Sequence, residues 1–203
     1  MHIVDGALSA PVLVSGAVLA IIGVAIGLKK MDYDHLPLVG VLASLFFIAS
    51  YIHLPLGFSS VHLIMNGLLG ILLGWVAFPA LLVALLLQVI FFGFGGLLVL
   101  GVNTLNIALP AVIVYYLCYH GVRGTSSKKA ALWGAFGGAL AIVITAIMVA
   151  FSLALSGESF LLAAKAVLPA HVPIMIIEGF VSYAAVYLIH RVKPAFLDKE
   201  LRS

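Results

Sequence analysis

The sequence predicts an all-α integral membrane protein of about seven transmembrane helices, with the N-terminus outside and the C-terminus in the cytoplasm. Three observations predict it. Of 203 residues, 65% are hydrophobic and 8% are charged, against about 25% charged in soluble domains. The apolar residues gather into long runs broken by short polar turns. Finally, the basic residues cluster at Lys29-Lys30, from Arg123 to Lys129 and from Arg191 to Arg202, with Lys165 the one exception. Basic clusters in alternate turns mark the cytoplasmic face.

The first span runs from about Leu8 to Leu28, outside to inside. No basic region precedes it, so the N-terminal stretch does not read as a secretory signal. The polar turn MDYDHLP leads to span two, about Pro37 to Ile52, with Pro37 as its entry. An outer loop from His53 to Ser60 carries Pro55 and Gly57. Span three is expected to begin at Ser59 or Ser60, either one a suitable N-cap, and to run to about Val76. After the inner turn WVAFP, span four covers about Ala80 to Phe92 and breaks at GFGG. Leu97 to Asn106 is apolar but interrupted by Gly101, Asn103 and Asn106, and reads as a re-entrant or outer loop. Span five follows from about Ile107 to Tyr119, and the basic turn HGVRGTSSKK lies inside. Span six covers about Ala131 to Leu155. The segment SGESFLLAAKAVLPAHVP reads as an outer stretch or short interfacial helix. Span seven covers about Pro173 to Ile189. The chain is thus one membrane domain, residues 1–203, with the N-terminal segment 1–6 inserted into the outer mouth of the bundle.

Small residues mark close helix contacts. Gly16, Ala20, Gly23 and Gly27 form one stripe of span one; Gly70 with Gly74, and Gly134 with Gly138, repeat the small-xxx-small spacing. Packing within the subunit is the preferred reading of all three. The lone Cys118 excludes an internal disulfide and any CxxC metal pair, and reads as a small buried hydrophobe. The net charge of +3 sits in the cytoplasmic clusters and carries no nucleic-acid signature.

The chemistry is concentrated at the start of the chain. A free Met1 amine, the His2 backbone nitrogen and His2 Nδ1 can chelate one metal ion through fused five- and six-atom rings. Three nitrogens in one plane suit Ni(II), Cu(II) or a planar Co(II), and leave one equatorial position for another donor. His62, near the outer end of span three, is a candidate for it, with Asn66 one turn further and on the same helical face. By position alone, a histidine satisfied by a loop carbonyl is an even alternative. His53 and His171 are the outer rivals; His35, His120 and His190 fall beside basic residues at the inner face. Asp5 is placed to orient the His2 ring, or to cap span one. Glu178 is the one acid deep within a span, and no partner for it is evident. HExxH, GxSxG, Walker A and dinucleotide fingerprints are all missing from these residues, so no enzymatic site is expected.

With MHIVDG at the start, FSSVHLIMNGLLGILLG at 58–74 and GGLLVLGVNTLNIALPA at 95–111, the chain resembles the CbiM/NikM family. These are the substrate-binding (S) components of nickel/cobalt energy-coupling-factor (ECF) transporters. The resemblance covers most of the chain. It implies that Met1, His2 and His62 bind the metal, Ni(II) or Co(II), as transported substrate. Members often carry proline at the third position or glutamate at the fifth; here Ile3 and Asp5 stand there, and the chelating donors precede them. The resemblance also implies a membrane-embedded transmission subunit, cytoplasmic ATPase subunits and a small extra membrane subunit as partners, in a prokaryotic plasma membrane. Two other classes remain: a haem-binding membrane cytochrome, which needs histidines facing each other on neighbouring spans, and a stand-alone secondary metal transporter, which favours inverted repeats and a midplane site.

Overall fold

The computed structural model describes residues 3–56, 59–124 and 126–198. It contains helices α1 (Ala10–Lys29), α2 (Leu36–Ala49), α3 (Asn66–Leu73), α4 (Ala77–Phe92), α5 (Leu100–Val122), α6 (Ser127–Ala154), α7 (Leu161–Val192) and the short α8 (Ala195–Asp198). A two-stranded antiparallel ribbon joins α2 to α3: β1 (His53–Leu56) pairs with β2 (Ser59–His62), and His53 stands opposite His62. Helices α1, α5, α6 and α7 are each long and apolar enough to cross a bilayer. The chain is a multi-pass helical membrane protein.

The directions of the helices follow from their contacts. On α3 and α5, Asn66 bonds Ile107, Gly70 abuts Ala111, and Gly74 abuts Tyr115. The offset stays constant, so the two run side by side in one direction. Gly74 then takes φ +54, a conformation costly to other residues, and ends α3. Helix α4 returns: its start packs on the last turns of α1 through Phe78 and Pro79, while Phe92 stacks on Phe47 of α2 and Phe94 lies parallel to the His62 ring. The apolar stretch from Asn66 to Phe92 is therefore a hairpin rather than one crossing. Between α6 and α7, Gly138 meets Ser182, Gly134 meets Val186 and Ser127 bonds His190, an antiparallel progression. α1 through α7 thus alternate in direction. Lys29, Arg123, Lys128, Lys129, Arg191 and Lys193 all fall at one end of the bundle, which the positive-inside rule makes cytoplasmic.

Small residues do what their spacing predicts. The buried residues of α1 are Gly16, Ala20, Gly23 and Gly27 alone. A Cβ at Gly16 would sit 2.5 Å from Val102 Cγ2, and one at Gly27 would sit 2.5 Å from Pro79 Cδ. Close approach of backbones is what such stripes provide in lipid. Cys118 is fully buried in the core, as a small hydrophobe would be.

Three expected boundaries are corrected. Ser59 and Ser60 lie in β2 rather than capping a helix, because β2 finds a partner strand in 53–56; α3 starts only at Asn66. Leu100–Asn106 is helical, forming the first turns of α5: Gly101 packs on Ala17, and Asn103 and Asn106 turn their amides inward onto partners. The segment before Pro173 is no separate outer helix. α7 runs unbroken through Pro169 and Pro173, since apolar surroundings and neighbouring helices make the loss of single backbone bonds tolerable.

Candidate metal centre

Met1 and His2 lie outside the described residues. The described chain begins at Ile3, which is 5% exposed and clamped on both sides of its backbone. Ile3 N–H donates to Asn103 Oδ1 at 3.1 Å, and Asn103 Nδ2 donates to the Ile3 carbonyl at 3.0 Å. Asn103 itself is buried. The Ile3 side chain joins Leu8, Val99, Val102, Val149, Leu153 and Ala164 in an apolar cluster that ties the N-terminal segment to α5, α6 and α7.

Asp5 accepts from Val99 N–H at 3.1 Å, just before α5. Its carboxylate fills the space beside Gly96, where any Cβ would collide with it. It does not cap α1, whose N-cap is Ser9. The turn Val4–Ala7 closes through Ala7 N–H to Val4 O, with Gly6 at φ +89.

The second half of the candidate site enters from the β ribbon. His62 is 2% exposed, at the end of β2 rather than one turn inside a helix. It therefore does not share a helical face with Asn66, which opens α3. The His62 ring is oriented by its own strand end: Nδ1 lies 2.9 Å from Leu63 O. A carbonyl only accepts, so Nδ1 carries a proton; in the neutral ring the lone pair is then on Nε2. The ring lies parallel to Phe94, 6.2 Å between centroids and 8° between planes.

Below His62 the backbone continues as non-helical chain, with Leu63, Ile64 and Met65 all buried. Such backbone survives inside a membrane protein only where the protein satisfies it. Glu178, fully buried in α7, does so: its Oε1 accepts from Ile64 N–H at 2.5 Å and Met65 N–H at 2.7 Å. Met65 takes φ +59, the one positive φ outside glycine among the described residues. The Asn66 amide donates to Ile107 O and to Thr145 Oγ1, both at 3.0 Å, anchoring the head of α3 to α5 and α6.

The remaining histidines divide by place. His53 pairs through its backbone with His62. His171 is buried within α7, with Nδ1 bonded to Val167 O one turn back, and so is not an outer loop residue. His35 bonds Asp32, and His190 bonds Ser127 and Gly124 O, both at the basic end. Sequence reading missed Asn103, seen only as an interruption. A polar amide in an otherwise apolar run is the signal that marks it. It also left Glu178 without a partner; the partner is the backbone of a turn more than 100 residues away.

Long apolar helices, with buried non-helical backbone at Ile3 and at Leu63–Met65, define a multi-pass membrane protein. The chain belongs to the CbiM family, described as the cobalt uptake substrate-specific transmembrane region, whose profile matches residues 2–196. It is a metal transport membrane protein of that family. A Haemophilus influenzae protein provisionally described as a metal transport protein is 41% identical over 201 residues, 98% of each chain. The cobalt transport protein CbiM of Sorangium cellulosum is 29% identical, over 98% of this chain and 95% of that one. The fused nickel transport protein NikMN of Rhodobacter capsulatus is 40% identical over 62% of this chain, a match spanning 38% of the fused protein. A crystal structure of a truncated transition metal transporter has the same fold, with a TM-score of 0.71 at 24% identity over 94% of this chain and 99% of that one.

Proposed function

We propose that this chain is the substrate-capture subunit of an ATP-driven, energy-coupling-factor importer of Ni(II) or Co(II). The ion is held by four nitrogens near one plane: the Met1 amine, the His2 amide nitrogen, His2 Nδ1 and His62 Nε2. Asp5 and Asn66 act around this set, Asp5 by fixing the N-terminal segment and Asn66 by fixing the head of α3. These 203 residues carry no nucleotide-binding motif, so energy comes from partners: a membrane-embedded transmission subunit, cytoplasmic ATPases and a small extra membrane subunit.

The observation that carries the reading is the clamp on Ile3. A residue held by Asn103 on both its N–H and its carbonyl, and buried, fixes the point from which the two proposed chelating residues extend. His62 is the proposed fourth donor: with Nδ1 bonded to the Leu63 carbonyl, the neutral ring has its lone pair on Nε2. A planar nitrogen set selects against Zn(II), which prefers a tetrahedron, and against Mn(II) and Mg(II), which prefer octahedral oxygen shells. The test is a competition titration of Ni(II) against Zn(II), with the absorption spectrum recorded. A yellow, diamagnetic nickel form that zinc does not displace is expected. Ready displacement by zinc, or an octahedral paramagnetic spectrum, contradicts the planar set.

A further inference from the structure

We infer that Glu178 is a positioning residue for His62, acting through a single peptide plane: carboxyl to Ile64 N–H, Leu63 carbonyl to His62 Nδ1. The inference rests on His62 being a metal donor.

The geometry is a relay. The Leu63 carbonyl and the Ile64 N–H belong to one planar, rigid peptide unit. Its N–H end is held by Glu178 Oε1 at 2.5 Å, and its carbonyl end accepts the His62 Nδ1 proton at 2.9 Å. Rotation of that plane would break both bonds together. A second bond from Met65 N–H to the same carboxyl oxygen, at 2.7 Å, fixes the next residue in its left-handed conformation. That conformation is unfavourable for a side-chain-bearing residue and persists only where its surroundings enforce it.

Metal-bound histidines ordinarily have their other ring nitrogen held by a carboxylate, a backbone carbonyl or water, which sets the tautomer and raises ligand basicity. Here a carbonyl does the holding and a buried carboxyl polarises that carbonyl from the far side of the amide, since hydrogen bonds in series strengthen one another. Glu178 lies midway along α7, which continues to the basic end through His190 and Arg191. The arrangement gives α7 a direct mechanical tie to the donor ring.

A double-mutant cycle tests this. Ni(II) affinity would be measured by titration on the full chain with its native N-terminus, for Glu178→Gln and Glu178→Leu, each with His62 intact and with His62→Ala, where the three N-terminal nitrogens still bind weakly. Leucine removes the acceptor; glutamine keeps an acceptor oxygen of similar shape but makes weaker bonds. With His62 intact, Glu178→Leu should weaken binding by about tenfold or more, with Glu178→Gln intermediate. In the His62→Ala background neither substitution should change the residual affinity. Equal losses in both backgrounds would show a general packing role and overturn the relay, as would a Glu178→Gln protein that binds like the native one. If Glu178→Leu does not fold, the Glu178→Gln pair alone decides. Should His62→Ala leave nickel binding intact, the donor set itself is wrong. Should His62→Ala weaken binding while both Glu178 variants match the native protein, only the relay is wrong.

Discussion

Asn103 and Ile3 form a closed pair of hydrogen bonds across 100 residues of sequence: the carboxamide oxygen takes the Ile3 N–H and the carboxamide nitrogen gives to the Ile3 carbonyl. A primary amide supplies a donor and an acceptor side by side, which this pairing requires. The pair ties Ile3 into the bundle, where its side chain is set among Val99, Val102 and Ala164.

Replacing Asn103 with leucine should leave both Ile3 backbone groups buried and unpaired, at a cost on the order of 2 kcal/mol. Nickel affinity should fall further than the loss of thermal stability alone explains, because the proposed chelating residues, Met1 and His2, adjoin the released Ile3. Calorimetric affinity and a thermal unfolding curve on the same variant check this. An Asn103→Leu protein with native affinity would show that the clamp does not position the chelate.

Gly16→Val should destabilise the bundle by about 1–3 kcal/mol through overpacking. Even a Cβ there lies 2.5 Å from Val102, and α1 has no buried face other than its small-residue stripe. Gly40→Val, at an α2 position where a Cβ meets nothing within 4 Å, is the control. A thermal unfolding comparison in detergent reads the difference; equal melting temperatures would contradict the packing role of the stripe.

Binding should weaken as pH falls. An α-amine ordinarily titrates at about 7.7–8.0 and an imidazole at about 6.5, and both must be deprotonated to ligate, as must the His2 amide. Protons therefore compete with the metal more strongly the lower the pH. Calorimetry in buffers of different ionisation enthalpy should register proton release on binding. Affinity unchanged between mildly alkaline and mildly acidic pH would exclude amine and amide ligation.

The glycine stripe of α1, the basic clusters and the break at Gly93 were legible because each depends on a local property: spacing, charge or a conformation that suits glycine. The head of the third span was not. SSVHL reads equally as the start of a helix, and only pairing with His53–Leu56 and capture of the following turn by Glu178 make it a strand and an unwound entry. Likewise Gly101, Asn103 and Asn106 read as loop residues because their compensating partners, Ala17, Ile3 and Ser152, lie far away in sequence. Pro173 reads as the start of span seven and Pro169 as part of an outer segment before it, yet α7 carries both. His62 was legible as a candidate from its place in the chain, but its tautomer needed the Leu63 carbonyl.

The central claim is that the chain's own amine is a metal ligand, and one residue added before Met1 tests it. The extension displaces the amine and breaks the chelate rings while leaving Ile3, Asn103, His62 and Glu178 unchanged. Nickel titration of the extended protein should show loss of high-affinity binding and of the planar nickel absorption, both restored when the added residue is cleaved away. An extended protein that binds nickel as tightly as the native one would contradict the account.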